Sequence, residues 1–283
     1  MNLNELVRDS EKLLEEKQKD VNAAKIIAMH LLKADSYNFM YDEVVIDDSQ
    51  VQEFNEMIND VISGRPVQYV IGEEDFYGYS FIVNEDVLIP RFETEELVGN
   101  ILSRIDESFA DYKDIDLVDI GTGSGAIALT LKKEEARLNV IATDISQEAV
   151  EVAKANANKL GVEVEFRVGD MHKPVLDRKF DILVSNPPYI PLDDDVQDVV
   201  KDNEPHVALF GGNDGLDYYD IILKNCHLIT KEEALIAFEI GWNQAEKIKD
   251  LANQYIDNPY IEVVQDIYGK DRMMFIYKTS NKE

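Results

Sequence analysis

The chain has 283 residues, 45% of them hydrophobic, which allows one or two domains with a buried core and excludes a disordered tail. Its 28 basic and 57 acidic residues leave a net charge of −29, a poor match for phosphate backbones or an anionic membrane surface. A single cysteine, Cys226, excludes an internal disulfide and a cysteine-cluster metal site; the 4 histidines show no ligand spacing, so no metal is expected.

Residues 1 to 63 read as helical. Ala24, Ile27, Ala28, Leu31 and Leu32 recur at helical spacing, and Phe54, Met57, Ile58, Val61 and Ile62 repeat the pattern. Gly64 and Pro66 end the second stripe. A small helical domain over 1–67 follows, with an acidic surface that allows a partner-binding role and no group suited to catalysis. From Gln68 to Leu88 the segments QYVIG and YSFIV are rich in β-branched and aromatic residues, which predicts a β-hairpin in a linker over 68–92.

Residues 93–283 form the larger domain. A helix over 94–105 precedes a strand over 116–120, a glycine loop and a second helix. Then come a strand over 140–143, a helix over 146–160, and strands over 164–168 and 182–185. A helix over 216–228, the strand Ala234–Ile240 and a helix after Trp242 lead to two closing strands, 261–265 and 272–277. Strands alternating with helices predict an α/β fold with a doubly wound, mostly parallel sheet. The two adjacent closing strands predict an antiparallel edge.

The first chemical motif is Asp119-Ile-Gly121-Thr122-Gly123-Ser-Gly125, set between a strand and a helix. Glycines there permit a tight turn and close approach of a ligand to the backbone. The GxGxG spacing differs from the GxGxxG of dinucleotide binders. Asp144 ends the next strand, where a carboxylate can accept both hydroxyls of a ribose; Ile145 follows it. Asp119 is placed to hold an ammonium group. Asp170, followed by Met171, ends the third strand within reach of an adenine amino group. Acids without a basic phosphate clamp suit a cationic, phosphate-free cofactor, so S-adenosylmethionine fits better than NAD.

The second motif, Asn186-Pro187-Pro188-Tyr189, follows the fourth strand. Two prolines stiffen it. The Asn186 side-chain oxygen and the Pro187 carbonyl offer two fixed acceptors for the two hydrogens of one planar NH₂ group. An amide nitrogen is a poor nucleophile because its lone pair is delocalised. Drawing both N–H bonds toward acceptors favours a pyramidal nitrogen whose lone pair faces the methyl, and stabilises charge as it develops. Tyr189 can pack on the planar group.

Together these motifs resemble amino-directed S-adenosylmethionine methyltransferases. Arg65-Pro66 with Gln68-Tyr69 and Gly72, Ile89-Pro90-Arg91, Glu93-Thr94-Glu95, Glu204-Pro205, Leu209-Phe210-Gly211-Gly212 and Asp214-Gly215-Leu216 narrow the likeness. From about residue 65 onward the chain resembles the release factor glutamine methyltransferases. That resemblance implies a class I, Rossmann-like methyltransferase domain and an N-terminal substrate-recognition domain. It implies methylation of the glutamine side-chain amide in the Gly-Gly-Gln motif of peptide chain release factors, with S-adenosylhomocysteine as product. It places Asp119, Gly121, Thr122, Gly123, Gly125, Asp144, Ile145, Asp170, Met171 and Asn186 at the cofactor. Asn186, Pro187, Pro188 and Tyr189 would meet the substrate, with Arg91 and Glu93 beside them. Phe92 stands where the family usually has a second proline.

The competing class is a DNA adenine or RNA guanine amino-methyltransferase, which shares the Asn-Pro-Pro-Tyr chemistry on a flipped base. The charge of −29 and the lack of a Lys/Arg-rich recognition segment argue against it. The expected partners are therefore release factors, without direct nucleic acid or membrane binding, and the protein is expected to be a monomer. A polar, acidic N-terminus without a signal-peptide pattern, no apolar run of about 20 residues, and a lone thiol make the expected location cytoplasmic.

Overall fold

A computed structural model describes residues 1–34, 36–194 and 198–279. The chain divides into two units, Met1–Glu73 with Gln197–Asn203, and Glu74–Val196 with Glu204–Glu283.

The first unit is helical: α1 (Leu3–Glu16), α2 (Ala23–Leu32), α3 (Asp48–Ser63) and α4 (Val67–Ile71). Leu3, Ala24, Ile27, Phe54, Ile58 and Val61 meet in its core, so both sequence stripes face inward. Asn2 caps α1 by accepting from the N–H groups of Asn4 and Glu5. Asp47 and Gln50 form a reciprocal capping box at the start of α3, and Gly64 ends that helix at φ 113°.

The hairpin differs from expectation at its start. QYVIG lies in α4, not in a strand. Pro66 at the entry and Gly72 at φ 77° bracket one helical turn, and burial of Val67 and Tyr69 outweighs the β preference of their side chains. The hairpin strands come later, β1 (Glu73–Phe76) and β2 (Tyr79–Ile82). Tyr77 at φ 53° and Gly78 at φ 78° supply the two left-handed residues of a tight turn.

The second unit continues with α5 (Phe92–Ser108), β3 (Ile115–Ile120), α6 (Ala126–Glu134), β4 (Leu138–Asp144), α7 (Gln147–Leu160), β5 (Glu165–Val168) and β6 (Phe180–Ser185). The short α8 (Asp198–Asn203) is counted with the first unit, where Asn203 Nδ2 donates to Gly64 O at 3.1 Å. After it come α9 (His206–Leu209), α10 (Asp217–Ile229), β7 (Thr230–Glu239), α11 (Ala245–Tyr255), β8 (Tyr260–Gln265) and β9 (Asp271–Lys278).

The sheet order is β5-β4-β3-β6-β7-β9-β8. Strands β5 to β7 pair in parallel, and β9 runs antiparallel to both β7 and β8. The expected parallel sheet and antiparallel edge are both present. Both faces are covered, so the strands read as apolar runs with a hidden period of two. Leu117, Leu235, Ala237 and Phe275 point to the α5/α6 layer. Val118, Ile236, Phe238 and Met274 point to the α10/α11 layer. The strand order turns back between β3 and β6, and there the loops after their carboxyl ends diverge into a crevice.

Candidate active site

The crevice carries both motifs. The glycine loop leaves β3 with Gly121, Gly123 and Gly125 at φ 75°, 55° and 85°, a run that favours glycine at each step. The N–H groups of Gly121 and Thr122 both donate to Thr143 O at 2.9 Å, which ties the loop to β4. Asp144, at the end of β4, accepts from Gly123 N at 2.8 Å through Oδ2 and from Ser146 N at 3.0 Å through Oδ1. A carboxylate has about four lone-pair sites, so each oxygen retains capacity for a further donor. Burial holds the Asp144 carboxyl above its ordinary pKa, and those backbone donors oppose the shift.

Asp119 lies wholly buried under the loop. Thr122 Oγ1 donates to its Oδ2 at 2.7 Å, whereas Oδ1 has no hydrogen-bond partner among the described residues. Burial pushes its pKa up to about 7; the neighbouring Asp144 charge adds to the shift and the Thr122 bond opposes it.

A cavity of about 170 Å³ opens beside these groups, lined by Gly121, Gly123, Asp144, Ile145, Asp170, Met171, Asn186 and Pro188 among others. Asp119, Thr122, Gly125, Pro187 and Tyr189 do not line it. Gly125 serves the loop's packing, since a Cβ there would lie 2.8 Å from Leu129 Cδ1. Asp170 is at the wall but pairs with Lys173 Nζ at 2.5 Å. A larger cavity of about 740 Å³ lies at the amino ends of β3 to β6, beside Asp116, Leu138, Glu165 and Phe180, on the side of the sheet away from both motifs. Volume alone therefore does not locate the site.

The Asn-Pro-Pro-Tyr loop is held from several directions. Asn186 Nδ2 donates to Thr94 Oγ1 at 3.3 Å, and Thr94 Oγ1 donates to Glu239 Oε2 at 2.6 Å. Tyr189 OH donates to Glu239 Oε1 at 3.2 Å, and Tyr219 OH to Glu239 O at 2.7 Å. Gln244 Nε2 donates to Tyr189 O at 2.9 Å, while Gln244 Oε1 accepts from Gly241 N at 3.0 Å. Burial raises the pKa of both Glu239 and Tyr189. Two glycines of the second half of the chain, Gly211 and Gly215, lie against the same loop. A Cβ on Gly215 would sit 2.1 Å from Tyr189 O, and one on Gly211 2.4 Å from Pro188 O.

Arg91 and Glu93 fall outside the cavity lining. Arg91 Nη2 lies 2.5 Å from Glu204 Oε1, and the other oxygen of that buried carboxylate accepts from Ile89 N at 3.3 Å. This pair orders the loop before α5. Glu93 is close enough to raise the pKa of Tyr189 and Glu239 through its charge. Thr94, Glu204, Glu239 and Gln244 received no role from the sequence. A signal existed for Glu239: it continues the Leu235, Ala237 alternation onto a buried face, where a carboxylate needs a reason to be.

Two family models match the chain: the PrmC N-terminal domain over residues 5–72 and the methyltransferase small domain over residues 101–202. A release factor glutamine methyltransferase from Bacillus anthracis is 45% identical over 282 residues, covering 97% of this chain and 99% of that protein. The chain belongs to the release factor glutamine methyltransferase family. A further member, from Bacillus subtilis, is 40% identical over 274 residues, covering 95% of each chain. The fold extends beyond the release factor glutamine methyltransferases. A methyltransferase from Pyrococcus furiosus superposes with a TM-score of 0.52 at 16% identity, covering 72% of this chain and 90% of its own.

For a release factor glutamine methyltransferase the cofactor question is whether these residues suit S-adenosylmethionine. They do on two counts. The left-handed glycines leave a cradle with no Cβ beside Asp144. The buried, unpartnered Asp119 Oδ1 beneath it would gain from a cationic group, met directly or through a water.

Proposed function

We propose that this protein transfers the methyl group of S-adenosylmethionine to the side-chain amide nitrogen of the glutamine in the Gly-Gly-Gln motif of peptide chain release factors. The observation that carries the reading is that Asn186 lines the same cavity as Gly121, Gly123 and Asp144. A nitrogen gripped at Asn186 therefore lies beside whatever the glycine loop holds.

When bound, the cofactor supplies an electrophilic methyl group on a sulfonium. Gly121, Gly123 and Asp144 would hold its ribose side, Ile145 and Met171 would pack on the base, and Asp170 would reach the adenine amino group. Asp119 and Thr122 would support the cationic end from below. Asn186 Oδ1 and the Pro187 carbonyl would each take one N–H of the glutamine amide. That geometry turns the nitrogen lone pair toward the methyl, and holding both reactants in line is worth at best about 7–11 kcal/mol of barrier. After transfer the nitrogen is acidic and loses its proton to an acceptor of the loop or to water. Pro188 and Tyr189 would bound the substrate amide. Arg91 would act through Glu204 on the loop before α5 and Glu93 through its charge, at the rim of the substrate site.

Among the described residues no helix is long and apolar enough to cross a membrane. We assign a release factor as the protein partner, a monomeric state and a cytoplasmic location, where translation terminates. The test is tryptic mass mapping of a purified release factor after incubation with the protein and S-adenosylmethionine. A single methyl on the Gly-Gly-Gln peptide is expected. An unmodified peptide, with label found on DNA or RNA instead, would overturn the reading.

A further inference from the structure

Beside the Asn-Pro-Pro-Tyr loop, the hydrogen bonds have a direction as well as a length. Glu239 is 2% exposed and takes a hydroxyl on each oxygen, Thr94 on Oε2 and Tyr189 on Oε1. Burial raises its pKa and the Glu93 charge adds to that, whereas the Thr94 bond, the Arg272 charge and the Tyr189 bond oppose it. With a hydroxyl donor on each oxygen, the carboxylate acts as the acceptor in both bonds. Thr94 has one hydroxyl proton, and that proton is committed to Glu239. What Thr94 Oγ1 then offers to Asn186 is lone pairs, so Asn186 must donate, and it does so through Nδ2.

That bond uses one of the two Nδ2 protons and fixes the amide plane, so Oδ1 is the acceptor the Asn186 side chain turns away from Thr94 and offers to a ligand. The opposite rotamer would set Oδ1 against the Thr94 oxygen, acceptor against acceptor. It would also present an NH₂ group to the substrate's own NH₂ group, donor against donor. A side-chain amide has nearly the same shape in either orientation, so packing alone does not choose between them. We propose that Glu239, acting through Thr94, is a positioning residue that fixes the Asn186 amide with Oδ1 toward the substrate, and so selects for substrates that present an NH₂ donor pair. The proposal rests on the reading that Asn186 grips the substrate nitrogen.

Fold and packing support this role. Thr94 lies in the first turn of α5, and Glu239 is the last residue of β7, the strand that α5 covers. Neither lines the cavity, so neither need touch the cofactor.

The test compares wild type with Thr94→Val, Thr94→Ser and Glu239→Gln. Valine keeps the shape of threonine and removes the hydroxyl; serine keeps the hydroxyl. Methyl transfer to a purified release factor gives kcat and KM, calorimetry gives S-adenosylmethionine affinity, and NMR follows solvent exchange of the two Asn186 side-chain amide protons. Thr94→Val and Glu239→Gln should lower kcat on the order of 10–100-fold with cofactor affinity kept. Thr94→Ser should restore most of the rate. In wild type and the serine variant, one Asn186 proton should exchange measurably more slowly than in the valine variant. Equal rates for valine and serine variants, or an unprotected Asn186 amide in wild type, would overturn the positioning role. A wild-type protein inert on release factors but with a protected Asn186 proton would instead overturn the proposed substrate and leave the positioning role supported.

Discussion

Thr94 and Glu239 are 145 residues apart in the chain, yet their side-chain oxygens meet at 2.6 Å in a buried contact. The contact exists because α5 lies over the sheet face onto which Leu235, Ala237 and Glu239 project. It joins the first helix of the α/β unit to the last parallel strand. Asn186, from the loop after β6, completes the link through Thr94. The Asn-Pro-Pro-Tyr loop is thus held by residues from both ends of the unit, and substitutions can be chosen that separate the grip proposed for it from cofactor binding.

Asn186→Ala removes the side-chain acceptor and its bond to Thr94 while leaving Asp144 and the glycine loop intact. Losing one donor or acceptor aimed at developing charge typically lowers kcat on the order of 10²–10³-fold. A loss of that size is expected, with S-adenosylmethionine affinity changed by no more than a few-fold because Asn186 is one wall residue among many. Single-turnover methyl transfer and calorimetry measure the two quantities. Near-full activity in the variant would show that the amide is gripped elsewhere.

Asp144→Ala should do the reverse. Its carboxylate fixes Gly123 N and Ser146 N and remains open to further donors. Hydrogen bonds to a charged group are worth about 1.5–3 kcal/mol each, so cofactor affinity should fall on the order of 10–100-fold. At saturating cofactor the transfer rate should change little. Unchanged affinity in a titration would remove Asp144 from the ribose site.

Those two residues stood out in the sequence because each sits at or just after a strand end, Asn186 before two prolines and Asp144 one strand beyond the glycine loop. The sheet was legible for the same reason: strand lengths and alternation are local signals. Glu239 and Thr94 were not legible as a pair, since Glu239 has no motif, the motif around Thr94 says nothing of its partner, and their contact depends on how α5 crosses the sheet. Arg91 shows the converse limit. Its place beside the motifs suggested the substrate, and nothing in the sequence pointed to its pairing with the buried Glu204 that the fold brings to it from 113 residues away. The segment QYVIG folds as a helical turn because Pro66 and Gly72 bracket it and burial of Val67 and Tyr69 outweighs the β preference of its side chains.

Asp119 makes stability depend on pH. Burial raises its carboxyl to about 7 in the folded protein, against about 3.9 in an unfolded chain. The folded state therefore holds its proton more tightly, so this group's contribution to stability falls as pH rises between about 4 and 7 and is fully lost above that range. Asp119→Asn removes the titration. Without ligand, the difference in unfolding midpoint between the variant and wild type should favour the variant more at pH 8 than at pH 5. Glu239, also raised by burial, is common to both proteins and cancels in the comparison, whereas Asp144 is coupled to Asp119 by charge and that coupling is part of what the substitution removes. Parallel pH profiles for the two proteins would show that Asp119 is not held as described.

Gly215→Ala tests whether the glycines after the Asn-Pro-Pro-Tyr loop act on catalysis through close packing. Gly215 sits at φ 75°, and an added Cβ would lie 2.1 Å from Tyr189 O, the same carbonyl that takes Gln244 Nε2. Two penalties follow. The left-handed backbone costs roughly 1–2 kcal/mol for a residue with a Cβ, and the contact forces a backbone carbonyl to move. Gly78→Ala separates them, because Gly78 has φ 78° but no atom within 4 Å of the added Cβ. Both variants should unfold at lower temperature than wild type. Only Gly215→Ala should also lose methyl-transfer rate, on the order of 10²-fold for a displacement of about 1 Å in the gripping loop. Its affinity for S-adenosylmethionine should stay close to wild type, since Gly215 does not line the cofactor cavity. If the two variants kept equal activity, close packing at Gly215 would be a matter of stability alone, and the loop's hold on the substrate would have to come from the Thr94 and Gln244 bonds without it.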